Sequence, residues 1–579
     1  MIWYLDNPPR FRQEREALEQ LASMVNWLVP GQWRMDEMLR LVWDAEVMAR
    51  GQVWPVSLRY PNHFPHSPPL VLPRDANARW SGHQYGTGGE LCLEYGADNW
   101  YHALTGADMI KSTQRLLEGE ASVSSAPTAV ASRHSTTLGQ ELRNRRFRLL
   151  VTRELRDVLA ALPERIIVTG KLAMLYHEES IVCAISSLTL PGDIEWIDST
   201  IPKQLKYESL EPRLMLTRWP ADLNLPATKS AQQMRTAVGA TDEATQGIDF
   251  LFVVHGTTLS GRRFWKDDDT LSEIAEIPAQ PVAARVDESH ASLAARKVAV
   301  VGCGSLGGKV AVMLARSGVG QFLLVDDDVM LPDNLLRHDL DWREVGTHKA
   351  DAIARRVQLV NPTAQCETRR HRVGGQESSG SIETLISSLA NCDLVIDATA
   401  DDHAFGYLTA AAASGSKPFL WAEVFGGGFG GLIARHRPSL EPDPASMRSL
   451  IENWCRENGR PIERAVDYET RGSGPPQIAD DADVAAIAAH AARLAIDTLI
   501  PRTPSMFPYS VYLIGLAPAW IFEQPFDTRP IDVGAPVVAA KPPVDQQFVE
   551  EEMAVVRGLF KKFANATPAD PSDRSTPAA

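Results

Sequence analysis

The chain lacks the features of a membrane protein and of a secreted one. No window approaches about 20 uninterrupted apolar residues, so no membrane-spanning helix is expected. The first ten residues do not combine a basic segment with an apolar one, which argues against a secretory signal. We therefore expect a cytoplasmic protein that does not bind membranes.

Cysteine and positive charge are also scarce. The six cysteines are scattered along 579 residues without CxxC spacing, which disfavours a zinc site and suits a reducing cytoplasm. The chain has 58 basic and 73 acidic side chains, and its formal net charge is −15. This excess of acid argues against a non-specific nucleic-acid binder and against attachment to anionic membranes.

The chain is longer than one hydrophobic core supports, and roughly three or four domains are expected from its length. The pattern of strand-like and helical segments predicts an α+β domain over 1–122, a mixed α/β linker domain over 138–286, a doubly wound α/β domain over 287–545, and a helix with a disordered tail over 546–579. The linker domain carries no motif with evident chemistry, so we expect it to act as a scaffold.

A glycine-rich turn and an acidic strand end lie close together in the third domain. The strand 297–301 runs into a helix through this turn, and the next strand ends in three carboxylates. The residues concerned are Gly302, Gly304, Leu306, Gly307, Asp326, Asp327 and Asp328. Glycines let backbone N–H groups approach a phosphate, the helix N-terminus favours its charge, and an acid can bind ribose hydroxyls. These features predict a nucleotide-binding βαβ unit.

The residues that follow distinguish between two nucleotides. Arg337 and Lys349 place two cations behind the phosphate loop, and Asn334 lies beside them. A pyrophosphate held by backbone amides does not need them, whereas a triphosphate carries about four negative charges that need neutralising during attack at the α-phosphorus. An NAD-dependent oxidoreductase is the alternative on the same βαβ unit, and it leaves both cations unexplained. The sequence therefore favours ATP.

These motifs occur in the order GxGxLG, DxD, NLxR and GxxK. Over residues 290–430 they closely resemble the ThiF/MoeB and ubiquitin-activating adenylyltransferase family. The resemblance implies that the loop 302–307 and Asp326 bind adenosine and ribose. It implies that the triphosphate and its Mg²⁺ are held by Asp328, Asn334, Arg337 and Lys349. Because the family is homodimeric, we expect a homodimer.

The acid that the family uses for Mg²⁺ is displaced in this chain. Ala400 follows the strand 393–399 where the family carries its aspartate, and Asp401 and Asp402 come next. Either acid could serve after a shift of one residue, and we favour Asp401. The alternative for each of them is a helix cap or a solvated loop acid.

A second ordered set of motifs lies near the N-terminus. It comprises the proline-rich segment 60–69, a loop containing His83, Cys92 followed by leucine, and Trp100 eight residues later. Over residues 10–120 this set resembles a ubiquitin-conjugating enzyme. The resemblance implies that Cys92 accepts an acyl group by thioester exchange and that the thioester then acylates a lysine.

The setting of Cys92 supports this interpretation, although a lone cysteine is usually an inert core residue. Glycines at 86, 88 and 89 indicate a loop rather than a strand, and His83 is the nearest residue that could orient the thiol. An attacking amine could be positioned by Glu90, Glu94 and Asp98. The family's His-Pro-Asn reads His83-Gln84-Tyr85 here, so the Tyr85 hydroxyl or a backbone amide substitutes for the asparagine, or the rate is lower.

A middle cysteine expected from the resemblance is missing. Ubiquitin-activating fusions tend to carry one in a Cys-Gly-x-Pro segment before the last long helix, and Ser473 stands in that place. Three explanations are open: an engineered Cys→Ser change that traps an oxyester, direct passage of the acyl group to Cys92, or use of Cys455 instead. We favour the first of them.

The two resemblances together are similar to bacterial fusions found in cyclic-oligonucleotide antiphage (CBASS) defence systems. They imply an enzyme that adenylates a partner's C-terminal carboxylate with ATP and Mg²⁺, carries the acyl group on Cys92 and joins it to a target lysine. The expected partner is a CD-NTase or a ubiquitin-like protein. One alternative is activation of a sulfur carrier, which leaves Cys92 idle. Another is an inactive scaffold, suggested by Tyr85, Ala400 and Ser473.

Overall fold

The computed structural model divides the chain into two compact units. It describes residues 2–75, 77–80, 84, 89–119, 138–143, 145–201, 213–223, 228, 230–239, 248–265, 269–278, 287–376, 378–459, 478–500, 502–536 and 546–565. The units comprise residues 1–145 and 146–579. Within the described ranges, no helix has both the length and the hydrophobicity needed to cross a membrane.

The first unit is an α+β fold built on a four-stranded antiparallel meander. Its strands are β1 (Leu28–Met35), β2 (Leu41–Ala49), β3 (Gln52–Arg59) and β4 (Leu70–Pro73). Its helices are α1 (Trp3–Asp6), α2 (Pro8–Met24), α3 (Gly106–Gly119) and α4 (Leu138–Leu142).

A buried carboxylate connects three parts of this unit. Glu14 on α2 is completely buried, and it accepts hydrogen bonds from the Tyr60 hydroxyl at 2.8 Å and from the Gly106 N–H at 2.7 Å. Arg10 pairs with the same carboxylate at 2.9 Å. Burial raises the pKa of Glu14, and these hydrogen bonds together with Arg10 oppose the increase. The network therefore holds α2, the end of β3 and the start of α3 together.

The second unit begins with an eight-stranded sheet of mixed direction. Its elements are β5 (Phe147–Val151), α5 (Arg153–Ala161), β6 (Ile167–Tyr176), β7 (Ile181–Leu190), β8 (Ile194–Ile197), β9 (Arg213–Trp219), α6 (Ala231–Ala237), β10 (Phe250–His255), β11 (Thr258–Phe264) and β12 (Leu271–Pro278). Strand β5 pairs with both β12 and β7, so seven strands close into a ring and β8 is added beside β7. The region predicted as a mixed α/β linker is thus mainly β.

A second eight-stranded sheet follows, in the order β15-β14-β13-β16-β17-β18-β19-β20. Its strands are β13 (Lys297–Val301), β14 (Gln321–Val325), β15 (Gln365–Arg369), β16 (Leu394–Asp397), β17 (Phe419–Val424), β18 (Gly430–His436), β19 (Val511–Gly515) and β20 (Thr528–Ile531). The helices of this region are α7 (Ser305–Arg316), α8 (Lys349–Val360), α9 (Ser379–Ala390), α10 (Asp402–Ser414), α11 (Pro444–Asn458), α12 (Asp481–Leu499) and α13 (Gln546–Asn565).

The prediction of a doubly wound parallel sheet is correct for the first five strands and wrong for the last three. Strands β13 to β17 pair in parallel, whereas β18, β19 and β20 pair antiparallel. The reason lies in the glycine run after β17. Gly427 and Gly428 adopt φ values of 78° and 77°, which let the chain reverse directly into β18 without a crossover helix.

Both faces of this sheet are buried. Val298 and Val300 of β13 belong to one hydrophobic cluster, and Ala299 and Val301 belong to another on the opposite face. Such burial explains why β13 is a continuous apolar run rather than an alternating one. The strand predicted at 297–301 is confirmed at those bounds.

A buried ion pair ties the antiparallel half of the sheet to α12. Arg435 on β18 is fully buried, and its Nη1 lies 2.7 Å from Asp497 Oδ2 on α12. Its Nη2 donates to the Ser505 hydroxyl and to the Phe507 carbonyl, at 2.9 Å and 3.0 Å.

We expect Asp497→Ala to lower the stability of this region by about 3–5 kcal/mol, because it leaves the Arg435 guanidinium buried without a counter-charge. Hydrogen exchange of the α12 amides reports the unfolding free energy of this region of a multidomain chain. The matched control is Arg343→Ala, whose guanidinium pairs with Asp341 and is 75% exposed. Its cost should be about 0–1 kcal/mol, and equal effects of the two variants would contradict the prediction.

Candidate functional site

The glycine-rich turn between β13 and α7 folds tightly enough to require glycine. A Cβ atom added to Gly307 would lie 1.9 Å from the Gly302 carbonyl oxygen, closer than any side chain tolerates. A Cβ added to Gly304 would meet nothing within 4 Å, and Gly304 lines a cavity at this end of the sheet. Gly307 therefore serves the packing of the turn, and Gly304 keeps the cavity open at the N-terminus of α7.

Asp326 fixes this turn against the end of β14. Its Oδ2 accepts a hydrogen bond from the Cys303 N–H at 2.7 Å, and its Oδ1 accepts one from the Asp328 N–H at 2.8 Å. Burial raises the pKa of Asp326, and these hydrogen bonds together with Lys349 oppose the shift. The two hydrogen bonds of Asp326 to the turn and to Asp328 were not predicted from the sequence. Binding of ribose by Asp326 stays a prediction.

A cavity of about 300 Å³ gathers most of the residues predicted to bind the nucleotide. The predicted residues that line it are Gly304, Leu306, Asp328, Asn334, Arg337 and Lys349. It opens where β13 has β14 on one side and β16 on the other, which is where the order of strands reverses. Open α/β sheets bind ligands at such a switch point. The predicted residues Gly302, Gly307, Asp326 and Asp401 are not part of this lining.

Lys349 stands at the first position of α8, beside the acidic end of β14. Its Nζ lies 2.8 Å from Asp328 Oδ2, and its N–H donates to the Asp328 carbonyl at 2.9 Å. The ammonium group is largely buried, whereas the Asp328 side chain is 62% exposed. A helix N-terminus already carries partial positive charge, and α7 directs a second N-terminus at the same cavity. With Arg337, this arrangement favours an anionic ligand.

His338 is a cavity residue that the sequence analysis did not identify. Its Nε2 lies 3.0 Å from the Cys303 carbonyl oxygen, and its Nδ1 lies 3.3 Å from the Leu340 nitrogen. Since the Leu340 N–H donates to Nδ1, the ring is neutral with its proton on Nε2, and burial lowers its pKa to about 4. Its position depends on contacts between distant segments, so no local pattern could have found it.

Asp401 and Asp402 follow β16, and Asp401 takes the helix-cap role that was considered above as the alternative to binding Mg²⁺. Asp401 Oδ1 accepts hydrogen bonds from the His403 and Ala404 N–H groups at 2.7 Å and 3.1 Å, which caps α10. Asp402 pairs with Arg448. Within the described ranges, no group of three or more His, Cys, Asp and Glu side chains is suited to a metal ion. Binding of Mg²⁺ by Asp401 stays a prediction.

A second cavity, of about 370 Å³, adjoins the first and shares Ala400, Ala422 and Glu423 with it. Cys455 lies on its wall and is buried, which raises the pKa of the thiol to about 11. The buried thiol of Cys455 ionises less readily than an exposed one, and its burial disfavours the explanation that gave it the role of the missing cysteine. Ser473 lies outside the described residues.

Cys92 lies in the first unit, half-buried on the wall of a cavity of about 480 Å³. The same cavity is lined by Ser67, Pro69, Glu90 and Tyr95, and burial raises the pKa of Glu90 while Arg59 opposes the shift. The described residues do not include His83, Tyr85, Gly86 and Gly88. Replacement of the family's asparagine by the Tyr85 hydroxyl or by a backbone amide therefore stays a prediction.

The segment after Cys92 is held by side chains. Asn99 accepts a hydrogen bond from the Gly96 N–H at 2.8 Å and donates one to the Glu94 carbonyl at 2.7 Å. Glu94 forms two hydrogen bonds with Arg115 on α3, at 2.9 Å and 2.8 Å. The Glu94 carboxylate is thus engaged in holding the segment, and of the three acids proposed to position an amine, Glu90 shares the cavity with Cys92.

Comparison with known proteins identifies the class of the domain that contains this cavity. Residues 280–453 match the model described as the ThiF family, so the chain contains a ThiF-type domain. A curated relative, the "ATP-dependent ubiquitin transferase-like protein Cap2" of Pseudomonas aeruginosa, is 32% identical over 115 residues, which are 19% of this chain and 19% of the relative. The "Sulfur carrier protein ThiS adenylyltransferase" of Escherichia coli is 30% identical over 146 residues, covering 25% of this chain and 55% of the relative.

Among solved structures, the match to E. coli MccB with ATP covers 44% of this chain and 68% of the MccB chain. The two are 17% identical, and the TM-score is 0.32. The chain matches only 19–28% of the length of the first curated relatives. The resemblance to ThiF-type adenylyltransferases and to ubiquitin transferase-like proteins, predicted from the motifs, is confirmed.

We expect the acid at the end of β16 to make the stability of this region depend on pH. Asp397 is buried, and burial raises its pKa from 3.8 to about 6, although Thr399 donates two hydrogen bonds to it. Between pH 4 and 6 the unfolded chain ionises first, so stability is lost as the pH rises through this window, by about 3 kcal/mol in total.

Asp397→Asn keeps the hydrogen-bond acceptor and removes the titration. Urea unfolding of both proteins between pH 4 and 8 should therefore show that the variant gains stability relative to the wild type as the pH rises to 6. A difference that does not change with pH would contradict the expectation.

Proposed function

We propose that this chain uses ATP and Mg²⁺ to adenylate the C-terminal carboxylate of a partner protein, and that Cys92 then carries the acyl group to an amine of a target. The observation that supports the first step is the convergence of Arg337, Lys349 and two helix N-termini on one cavity. The half-buried thiol of Cys92 supports the second step.

The charge of the cavity suits a triphosphate better than a dinucleotide. Cations and helix N-termini are placed where negative charge develops on the phosphates during transfer, and they need no reorganisation when the reaction occurs. The open space at Gly304 lets a phosphate approach the backbone N–H groups of the loop. Asp328 supplies a carboxylate of the kind that holds Mg²⁺ together with substrate phosphates, and Asp401 is the second candidate. Bound Mg²⁺ would add positive charge against the phosphates.

In this proposal the partner's carboxylate oxygen attacks the α-phosphorus of ATP and pyrophosphate leaves, which forms an acyl-adenylate. Arg337 and Lys349 offset the charge on the departing group. The Cys92 thiol then attacks the acyl carbon, forming a thioester and releasing AMP and a proton. In a chain that carries Ser473 this transfer is direct, without a thioester on a middle cysteine. A lysine amine attacks the thioester, which forms an amide and frees the thiol.

The named relatives support two versions of this function. The transferase-like relatives favour conjugation. The activated partner that we propose, a CD-NTase in antiphage defence, rests on the resemblance of the motifs and not on these names. The ThiS adenylyltransferase favours activation of a sulfur carrier, which would leave the Cys92 cavity without a use. We favour conjugation by a cytoplasmic homodimer, with a conjugating-type domain over 1–122, a linker over 138–286 and the adenylyltransferase over 287–545. An inactive scaffold is the non-enzymatic alternative.

We expect Lys349→Ala to reduce ATP–pyrophosphate exchange by about 10²-fold, since one of the charges that stabilise the transition state is lost. Lys297→Ala is the matched control: it removes a lysine paired with Glu367 at 3.1 Å, at the opposite end of β13. Exchange is measured separately with a purified CD-NTase and with a ThiS sulfur carrier, and the partner that supports it identifies the substrate class. Tight NADH binding without exchange would instead favour the oxidoreductase.

The thioester step predicts a covalent adduct on one cysteine. Intact-mass analysis after incubation with ATP, Mg²⁺ and the CD-NTase should show a thiol-labile adduct in the wild type and none in Cys92→Ala. Cys366→Ala is the control, because Cys366 is also half-buried and burial raises its pKa to about 12. An adduct that survives in Cys92→Ala would exclude Cys92 as the carrier even if exchange is intact.

A further inference from the structure

The last helix of the described chain carries apolar side chains that nothing covers within the described ranges. Helix α13 (Gln546–Asn565) has 20 residues, about 30 Å of length, and no described side chain on it is buried. Phe560 and Phe563 are 70% and 82% exposed. An apolar surface of this kind on a folded chain marks an interaction site.

Five of the exposed apolar residues form one continuous stripe, and Phe548, Val555 and Leu559 widen the apolar face on one side of it. Val549, Met553, Val556, Phe560 and Phe563 follow one another at intervals of four, three, four and three residues. Alternating intervals of three and four place side chains on the same face of a helix, and they are the pattern by which two helices pack along a shared seam. The stripe therefore fits another helix better than an irregular groove.

Charges on α13 are separated by sign along its length. Glu550, Glu551 and Glu552 lie in the N-terminal half, whereas Arg557, Lys561 and Lys562 lie in the C-terminal half. The two sets are equal in number. Each set also lies at the end of the helix that its sign stabilises through the macrodipole.

We propose that α13 pairs with α13 of a second copy of this chain in antiparallel orientation. In that orientation the acidic half of each helix faces the basic half of the other. A parallel pair would instead place acid beside acid and base beside base, which is unfavourable. A two-fold axis relates the copies, so the same residues contribute on both sides.

The apolar stripe is compatible with the same axis. With the axis between Met553 and Val556, Val549 of each copy lies beside Phe560 of the other, and Met553 lies beside Val556 of the other. Four apolar layers then line up, flanked by Glu550 and the Arg557 of the second copy. The contact needs no nucleotide or acyl chemistry, so it can fail while the proposed reaction holds. It adds to the proposed homodimer a specific contact between the two copies.

The charges of α13 also favour a second copy of the chain over an anionic membrane as the partner of the apolar stripe. Interfacial helices that bind anionic lipid are rich in basic residues on their polar face. The three consecutive glutamates of α13 would be repelled by such a surface.

Two variants of the full chain, Val549→Cys and Phe560→Cys, each add one cysteine to the six native ones and distinguish the arrangements. After mild oxidation, a mixture of the two variants should give a covalent dimer in which mass spectrometry identifies the bond between positions 549 and 560. In a sample of one variant alone, the introduced cysteines of two copies should form no disulfide with each other. Disulfides formed by each variant alone would indicate a parallel pair, and no disulfide in any sample would indicate another occupant; either result overturns the proposal.

A charge reversal tests the complementarity directly. The triple change Glu550→Lys, Glu551→Lys, Glu552→Lys is introduced into both cysteine variants. In a mixture of these two proteins, the yield of the 549–560 bond should fall at least about tenfold at low ionic strength. Mixing either of these proteins with a chain carrying Arg557→Glu, Lys561→Glu and Lys562→Glu should restore the yield. An unchanged yield in the triple variant, or no recovery in the mixture, would contradict pairing by charge.

Discussion

The cavity at the switch point of the sheet depends on one carboxylate that does not line it. Asp326 accepts hydrogen bonds from Cys303 in the glycine turn and from Asp328 beyond β14, so it fixes the two segments at a set separation. Asp328 in turn holds Lys349 at the start of α8. The positions of the turn, the exposed acid and the cation therefore follow from one partly buried group. Local sequence shows the presence of this acid but not its orientation.

The parts of the fold that could be predicted are those with short-range causes. Strand β13 was predicted at its observed bounds because a lysine and four apolar residues followed by glycine have few alternatives. The start of helix α8 at Lys349, rather than at Gly346 or Thr347, does not follow from local sequence. Met330 exchanges backbone hydrogen bonds with Gly346 and Thr347, which holds that stretch in a turn before the helix. A pairing between segments 16 residues apart leaves no mark on local helical propensity.

The site was predictable to a similar extent. Motif spacing brought together six residues that do line the cavity, because strand ends and helix starts of a parallel sheet converge on one edge. It missed His338 and the shared wall residue Glu423, whose places depend on tertiary contacts. It also could not decide the role of Asp401, since a capping aspartate and a metal-binding aspartate occupy the same position in a sequence.

The closed ring of β5, β12, β11, β10, β9, β6 and β7 has a consequence for how the chain is made. The strand that completes the ring, β12, ends at Pro278, more than a hundred residues after β5. Until that length has been synthesised, β5 has one unpaired edge, and exposed edges invite pairing with other chains. The nascent polypeptide is therefore most vulnerable to aggregation between the emergence of β5 and the emergence of β12. Ribosomes stalled within this interval would present an open barrel.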